Sequence, residues 1–208
     1  METMQNDDSL NLTREEDLRF VRALLAQTRR DFDPGIVIFI TWGLICLLGY
    51  NGTFLFVSSQ HDHWISPMWF GLLTVGGVFS MVFGYRLLKN QRKKGFVSHI
   101  DIQMNWLWAI AVGNGLLWSL LGYFRDFYGG PGFFWAFIYA VALSMTGVVY
   151  TREWLAGGML IVAGMLLAHF FSPYAYVILG FSIAAGCILP AVVSRNRLKK
   201  MRKNIASK

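Results

Sequence analysis

Charge is the first thing this sequence has little of. Asp, Glu, Lys and Arg make up 15% of its 208 residues, against 55% apolar and 16% aromatic. A soluble domain of that length needs more charge to cover its surface. Cysteine is scarcer: Cys46 and Cys187 both lie in apolar runs, so they read as small packing residues and not as a disulfide framework. No P-loop, G-x-S-x-G elbow or H-E-x-x-H motif occurs. The first 34 residues carry eight acidic and five basic side chains and no apolar core, so they do not read as a secretory signal.

The charge that is present is segregated. Residues 35–58, 64–85, 102–124, 127–151 and 154–194 contain no Asp, Glu, Lys or Arg. A hydrocarbon core about 30 Å thick takes roughly 20 apolar residues of helix, so four of these runs fit one crossing each and the last fits two. Lys and Arg favour the cytoplasmic side of span ends. Eighteen of them fall in residues 1–34, 86–94, Arg152 and 195–208, and the opposite connections hold only Arg125. Splitting 154–194 at Ser172-Pro173 keeps the basic tail on the cytoplasmic side. The expected fold is an all-α membrane protein of six spans (about 35–58, 64–88, 102–124, 132–151, 154–171 and 173–194) with both termini cytoplasmic. A basic tail, 195–208, follows the membrane domain 35–194. Arg92, Lys93, Lys94, Arg197, Lys199, Lys200, Arg202 and Lys203 are expected to meet anionic lipid headgroups, at about 1 kcal/mol each close to the surface. The basic excess then needs no nucleic acid.

The arm 1–34 is expected to hold an amphipathic helix over about 14–31. Thr13 and Glu16 form a capping box, and Leu18, Val21, Leu25 and Phe32 recur at helical spacing. Such a helix suits a membrane surface, a cap on the bundle or a partner protein. The stretch Glu16-Asp17-Leu18-Arg19-Phe20-Val21-Arg22, in a short charged helix that leads into the first span, resembles the start of a group of uncharacterised bacterial multi-span proteins. That resemblance implies a bacterial inner-membrane location and no activity.

Within the spans, small residues recur at helical intervals: Ala111, Gly115, Ser119 and Gly122; Ser80 and Gly84; Gly180 and Ala184. Such stripes let helices approach closely in lipid. Trp64, Trp69, Tyr123, Tyr128, Trp154, Tyr174 and Tyr176 fall near span ends, as an aromatic belt would. Pro190 is expected to bend or end the last helix, and Gly129-Gly130-Pro131-Gly132 to form a tight turn. A faint repeat sets Trp42, Asn51-Gly52, Pro67 and Ser80-Met81 against Trp106, Asn114-Gly115, Pro131 and Ser144-Met145, 63 or 64 residues on. Three tandem hairpins would explain it, and so would the shared composition of membrane hairpins.

Candidate chemistry is thin. No carboxylate, Lys or Arg lies inside a span, which argues against proton relay and carboxylate catalysis, because charge at depth is kept for function. Asn114, midway through the third span, reads as an interhelical hydrogen bond or as a wall of a polar cavity. Asn51, toward the outer end of the first span, invites the same two readings, and His169, near the outer interface, reads as an interfacial or hydrogen-bonded histidine or as a ligand. His61, Asp62 and His63 share an outer loop whose donors are of the kind that bind zinc or copper, and whose polarity is equally that of a capping turn. No cofactor is expected. The leading functional expectation is a non-enzymatic accessory or regulatory subunit acting through another membrane or cytoplasmic protein. Its rival is a small transporter or substrate-binding component for a neutral or apolar molecule.

Overall fold

The computed structural model describes residues 36–93, 99–120 and 130–206. The arm 1–34 with its expected helix, Lys94 and Arg125 lie outside the described residues, as do the side chains of Arg92, Lys93, Arg202 and Lys203. Every long element is a helix, and no strand occurs among the described residues. In lipid, a backbone without water must satisfy its own N–H and C=O groups, and these apolar runs do so as helices.

Six helices follow in order: α1 (Ile36–Ser58), α2 (Ile65–Lys93), α3 (His99–Leu120), α4 (Gly130–Val149), α5 (Arg152–Phe170) and α6 (Ala175–Ala206). Short 3-10 turns precede α2 and α6. Five of the six, all but α3, are long and apolar enough to cross a membrane. The described part of α3 carries Gln103, Asn105 and Asn114 among its apolar residues, which lowers its hydropathy. At the end of α1, Gln60 takes φ 60° and the His61 N–H reaches back to Phe56 O at 2.8 Å, a left-handed cap that turns the chain. Gly130-Pro131-Gly132 does not form the expected loop turn. It opens α4, where proline's missing N–H would have had no intrahelical partner.

Four helices pack in the order α1, α6, α5, α4, and the ring closes through side chains, the Tyr50 hydroxyl of α1 donating to Gly132 O of α4. The centre is filled by Trp154, Leu143, Ile161, Leu179, Ile183 and Cys187, each essentially inaccessible. α2 flanks α1 and α3 flanks α4. The share of α2's most apolar window buried inside the bundle is 6%, against 50% for α6.

Pro190 neither ends nor interrupts α6, which runs through it to Ala206. Its missing N–H frees the carbonyl four residues back, at Gly186. That carbonyl faces Gly157 on α5, whose absent side chain makes room for it and for the Pro190 ring. The proline therefore serves a close helix–helix contact.

The hairpins α1–α2 and α3–α4 make equivalent contacts, in a register that differs from the one read in the sequence. Trp42 Nε1 donates to Ser80 Oγ at 2.9 Å, and Trp108 Nε1 donates to Thr146 Oγ1 at 3.2 Å. Gly49 lies under the ring of Trp69, and Gly115 under that of Trp135. Thr53 Oγ1 bonds Gly49 O, and Ser119 Oγ bonds Gly115 O, both at 2.8 Å. Each member of the second set stands 66 residues after its counterpart. The offset of 63 or 64 aligned Trp42 with Trp106, which is largely exposed, where Trp108 is the packed equivalent. The hairpin α5–α6 packs differently, Gly157 against Gly186 and Gly164 against Ser182.

Candidate functional site

Polar side chains gather at three heights. At one end of the bundle, where α5 closes and α6 opens, a cleft of about 270 Å³ is lined by Phe133, Ala168, His169, Ser172, Ala175, Tyr176 and Leu179. The α5–α6 turn positions it: the Phe171 N–H bonds Leu167 O at 2.9 Å, and Pro173 sits at the start of the next turn. Tyr50 stands beside Tyr176 with ring centroids 6.5 Å apart, and its hydroxyl donates to Gly132 O at 2.7 Å. The cleft offers an imidazole, a hydroxyl and a phenol on apolar walls. No carboxylate is among the residues that line it. It can hold a small molecule by hydrogen bonds, near the lower limit of ligand-pocket volume.

Midway through the bundle the core is polar but closed. Tyr139 of α4 faces Cys46 of α1, and Cys187 of α6 lies beside them. All are packed among apolar side chains. The sequence offered no signal for this grouping beyond two cysteines in apolar runs.

At the opposite end of the bundle, Arg197 donates to Glu153 Oε1 at 2.9 Å, tying the extension of α6 to the start of α5. Trp154, fully buried, packs on Phe39 with centroids 4.3 Å apart. Its Nε1, Ser194 Oγ, Thr151 Oγ1 and Glu153 Oε2 are buried without a hydrogen-bond partner among the described residues. Trp154 is thus a core residue and does not belong to the aromatic belt. Trp69 is also packed inward, donating to Thr53 Oγ1 at 3.0 Å. Trp64 and Tyr174 remain exposed at helix ends.

The residues singled out by sequence do not converge. Asn114 is exposed on the outer surface of α3 and donates to Ile110 O of its own helix at 2.8 Å; it neither bridges helices nor lines a cavity. Asn51 donates to Leu47 O at 2.7 Å and packs near Gly180. His169 reaches the cleft. His61, Asp62 and His63 are exposed, His61 Nδ1 lies 2.7 Å from Ser59 O, and the two imidazole rings are 6.0 Å apart. Among the described residues no three His, Cys, Asp or Glu side chains are grouped to hold a metal ion. Lys199 and Lys200 are exposed on the extension of α6. No family model matches the chain, and no curated protein or solved structure is similar to it.

Proposed function

We propose that this is a non-enzymatic accessory or regulatory subunit of a bacterial inner membrane, acting through another membrane or cytoplasmic protein. The observation that carries the reading is where the polar groups lie. The ring interior is filled by Trp154, Leu143, Ile161, Leu179 and Ile183, while the mid-span amide Asn114 faces outward. A path for a solute needs polar groups lining an open cavity, and a closed, packed interior suits a protein that works by association.

The proposed topology is six crossings with both termini cytoplasmic. Beyond the charge asymmetry, the hairpin α3–α4 supports it. α3 lies antiparallel to α4 from Trp108–Thr146 to Gly115–Trp135, so it shares the depth of a helix that is itself long and apolar enough to span. Its 22 residues extend about 33 Å at 1.5 Å each. Single cysteines at Gln60 and Lys199, introduced with Cys46 and Cys187 replaced by alanine, should be labelled by a membrane-impermeant maleimide from opposite sides. Labelling of both from one side refutes the topology.

Crosslinking in native membranes followed by affinity recovery tests the function. A specific partner should be recovered with the full chain and be depleted when residues 1–30 are removed. Recovery of no specific partner with either chain refutes the reading. The cleft around His169 and Tyr176 favours a second reading, a binding component for a small neutral or apolar molecule. Saturable uptake or binding of such a molecule by the purified protein in liposomes, abolished by Tyr176→Ala, would replace the first.

A further inference from the structure

The cleft where α5 and α6 meet has a fixed aromatic wall. Gly132 opens α4 without a side chain, and a Cβ there would stand 3.2 Å from Tyr176 Cε1 and 3.3 Å from Tyr50 Cε1. Both phenol rings therefore pack against the first turn of α4, with the Tyr50 hydroxyl donating to Gly132 O at 2.7 Å. Phe133, the next residue, adds a second ring to the lining, and Ala168 and Leu179, both fully buried, close it from beneath. Walls held by packing cost a ligand little ordering.

Three features of the lining select the ligand. Its polar groups are the imidazole of His169, the hydroxyl of Ser172 and the phenol of Tyr176. Each is of a kind that donates hydrogen bonds, and no carboxylate stands among them, so acceptor oxygens suit the cleft better than an amine does. No Asp, Glu, Lys or Arg lines it either, and an ionic ligand would enter without a counter-charge, at high cost. An apolar cavity of about 150 Å³ holds one benzene ring. A cleft of about 270 Å³ accordingly takes one six-membered ring with its substituents, beside Phe133 and Tyr176, whose rings favour an aromatic neighbour.

The surroundings add a tail. His169 and Ser172 are exposed, so the cleft opens on their side. Leu166, Val162 and Met159 stand 3, 7 and 10 residues before His169, on the same face of α5. They are 60%, 38% and 59% exposed and prolong the opening as an apolar strip about 15 Å long. α5 is long and apolar enough to cross a membrane, so a chain attached to a ring in the cleft would lie along this strip in hydrocarbon. We propose that the cleft binds the head of a membrane quinone, its carbonyls accepting from Ser172 and Tyr176 and its isoprenoid tail running along α5. The proposal rests on the small-molecule reading of this cleft and narrows it to one ligand class. A diacyl lipid brings ester carbonyls but no ring for Phe133 and Tyr176.

Retention of a radiolabelled short-chain benzoquinone by the purified full chain in detergent micelles, measured against protein-free micelles, tests it. Binding should saturate at one quinone per chain. Ser172→Ala combined with Tyr176→Phe keeps every ring, should unfold at the wild-type midpoint, and should raise Kd about ten-fold through the loss of two hydrogen bonds. His61→Ala, at an exposed turn outside the lining, should leave Kd unchanged. If the double variant folds poorly, the wild-type chain decides: an alkylbenzene of the same size, which has no carbonyl, should bind about ten-fold more weakly. Unchanged affinity in a folded double variant overturns the proposal, as does displacement of the quinone by an equimolar diacyl phospholipid. Equal retention of quinone and alkylbenzene, abolished by Tyr176→Ala, overturns the quinone assignment and leaves the small-molecule reading standing. Saturable retention of neither takes that reading down with it.

Discussion

Gly157→Ala should be a damaging single-methyl change, and the structure says why. The new Cβ would stand 2.7 Å from Pro190 Cγ and 3.3 Å from the Gly186 carbonyl carbon, with the Gly186 oxygen closer still. None of these can rotate away: two are backbone, and the third belongs to a closed ring. α5 and α6 must therefore part, and a gap of about 0.5–1 Å forfeits a quarter to a half of the dispersion energy of each contact along the seam. Overpacking of this kind costs about 1–3 kcal/mol, which is roughly a 5- to 150-fold fall in the ratio of folded to unfolded protein. Gly77→Ala adds the same methyl where nothing lies within 4 Å. It should be neutral or stabilise by up to about 1 kcal/mol, since alanine is the better helix former. Unfolding in mixed detergent–SDS micelles, followed by tryptophan fluorescence, compares the two. If Gly157→Ala unfolds at or beyond the wild-type midpoint, or if Gly77→Ala loses as much, the close approach of α5 and α6 at Pro190 is not what holds that seam.

Three further outcomes follow from the packing. Trp154→Ala should cost about 3–5 kcal/mol, whereas Trp154→Phe should cost far less than that, because the Nε1 it removes has no partner; thermal unfolding in detergent separates them. Trp42→Phe and Trp108→Phe each delete one hydrogen bond of the same kind. Their costs should match within error at about 0.5–1.5 kcal/mol, and a large inequality would mean that the two hairpins are not energetic equivalents. Arg197→Gln should shift stability by less than about 1 kcal/mol and only at low salt, since the Arg197 side chain is 56% exposed; the check is the unfolding midpoint at two ionic strengths.

How much of this was legible in the sequence depended on which physical signal was strong. Long uncharged runs forced helices, because lipid offers the backbone no other partner, and the boundaries fell close to the charges. Pro190 misled because its cost was reckoned for a lone helix, whereas Gly157 on the neighbouring helix turns the freed Gly186 carbonyl to use. Trp154 misled because tryptophan near a span end suits an interface, and nothing in its neighbours marked it as the centre of the core. Asn114 reads in the sequence as an interhelical hydrogen bond or a cavity wall, and the structure places it on the exposed side of α3. Its side depends on the helix phase set by Trp108 and Gly115, which only their partners Thr146 and Trp135 reveal. The pairing of His169 with Tyr176 at the cleft had no local signal, since it arises where two separate helix ends meet.

The repeat explains why two helices stand outside the ring. The first hairpin places its first helix, α1, inside, and the second places its second helix, α4. Contacts fix the directions. Gly43 meets Cys187 while Asn51 meets Gly180, so α1 and α6 are antiparallel; Gly157 meets Gly186 while Gly164 meets Ser182, so α6 and α5 are too. Gly147 meets Leu155 while Gly158 meets Ala140, and the Tyr50 hydroxyl reaches Gly132 while Tyr139 faces Cys46. Every neighbour in the ring therefore runs opposite to the next. Had both hairpins contributed their first helix, α3 would lie parallel to α5, and the short Val149–Arg152 connection could not join α4 to α5 as adjacent antiparallel helices. Alternating the inner helix keeps all four ring contacts antiparallel, and its consequence is that α2 and α3 are left outside. The face of α3 that carries Gly113 is open for that reason, although the equivalent face of α1 is closed by Gly180.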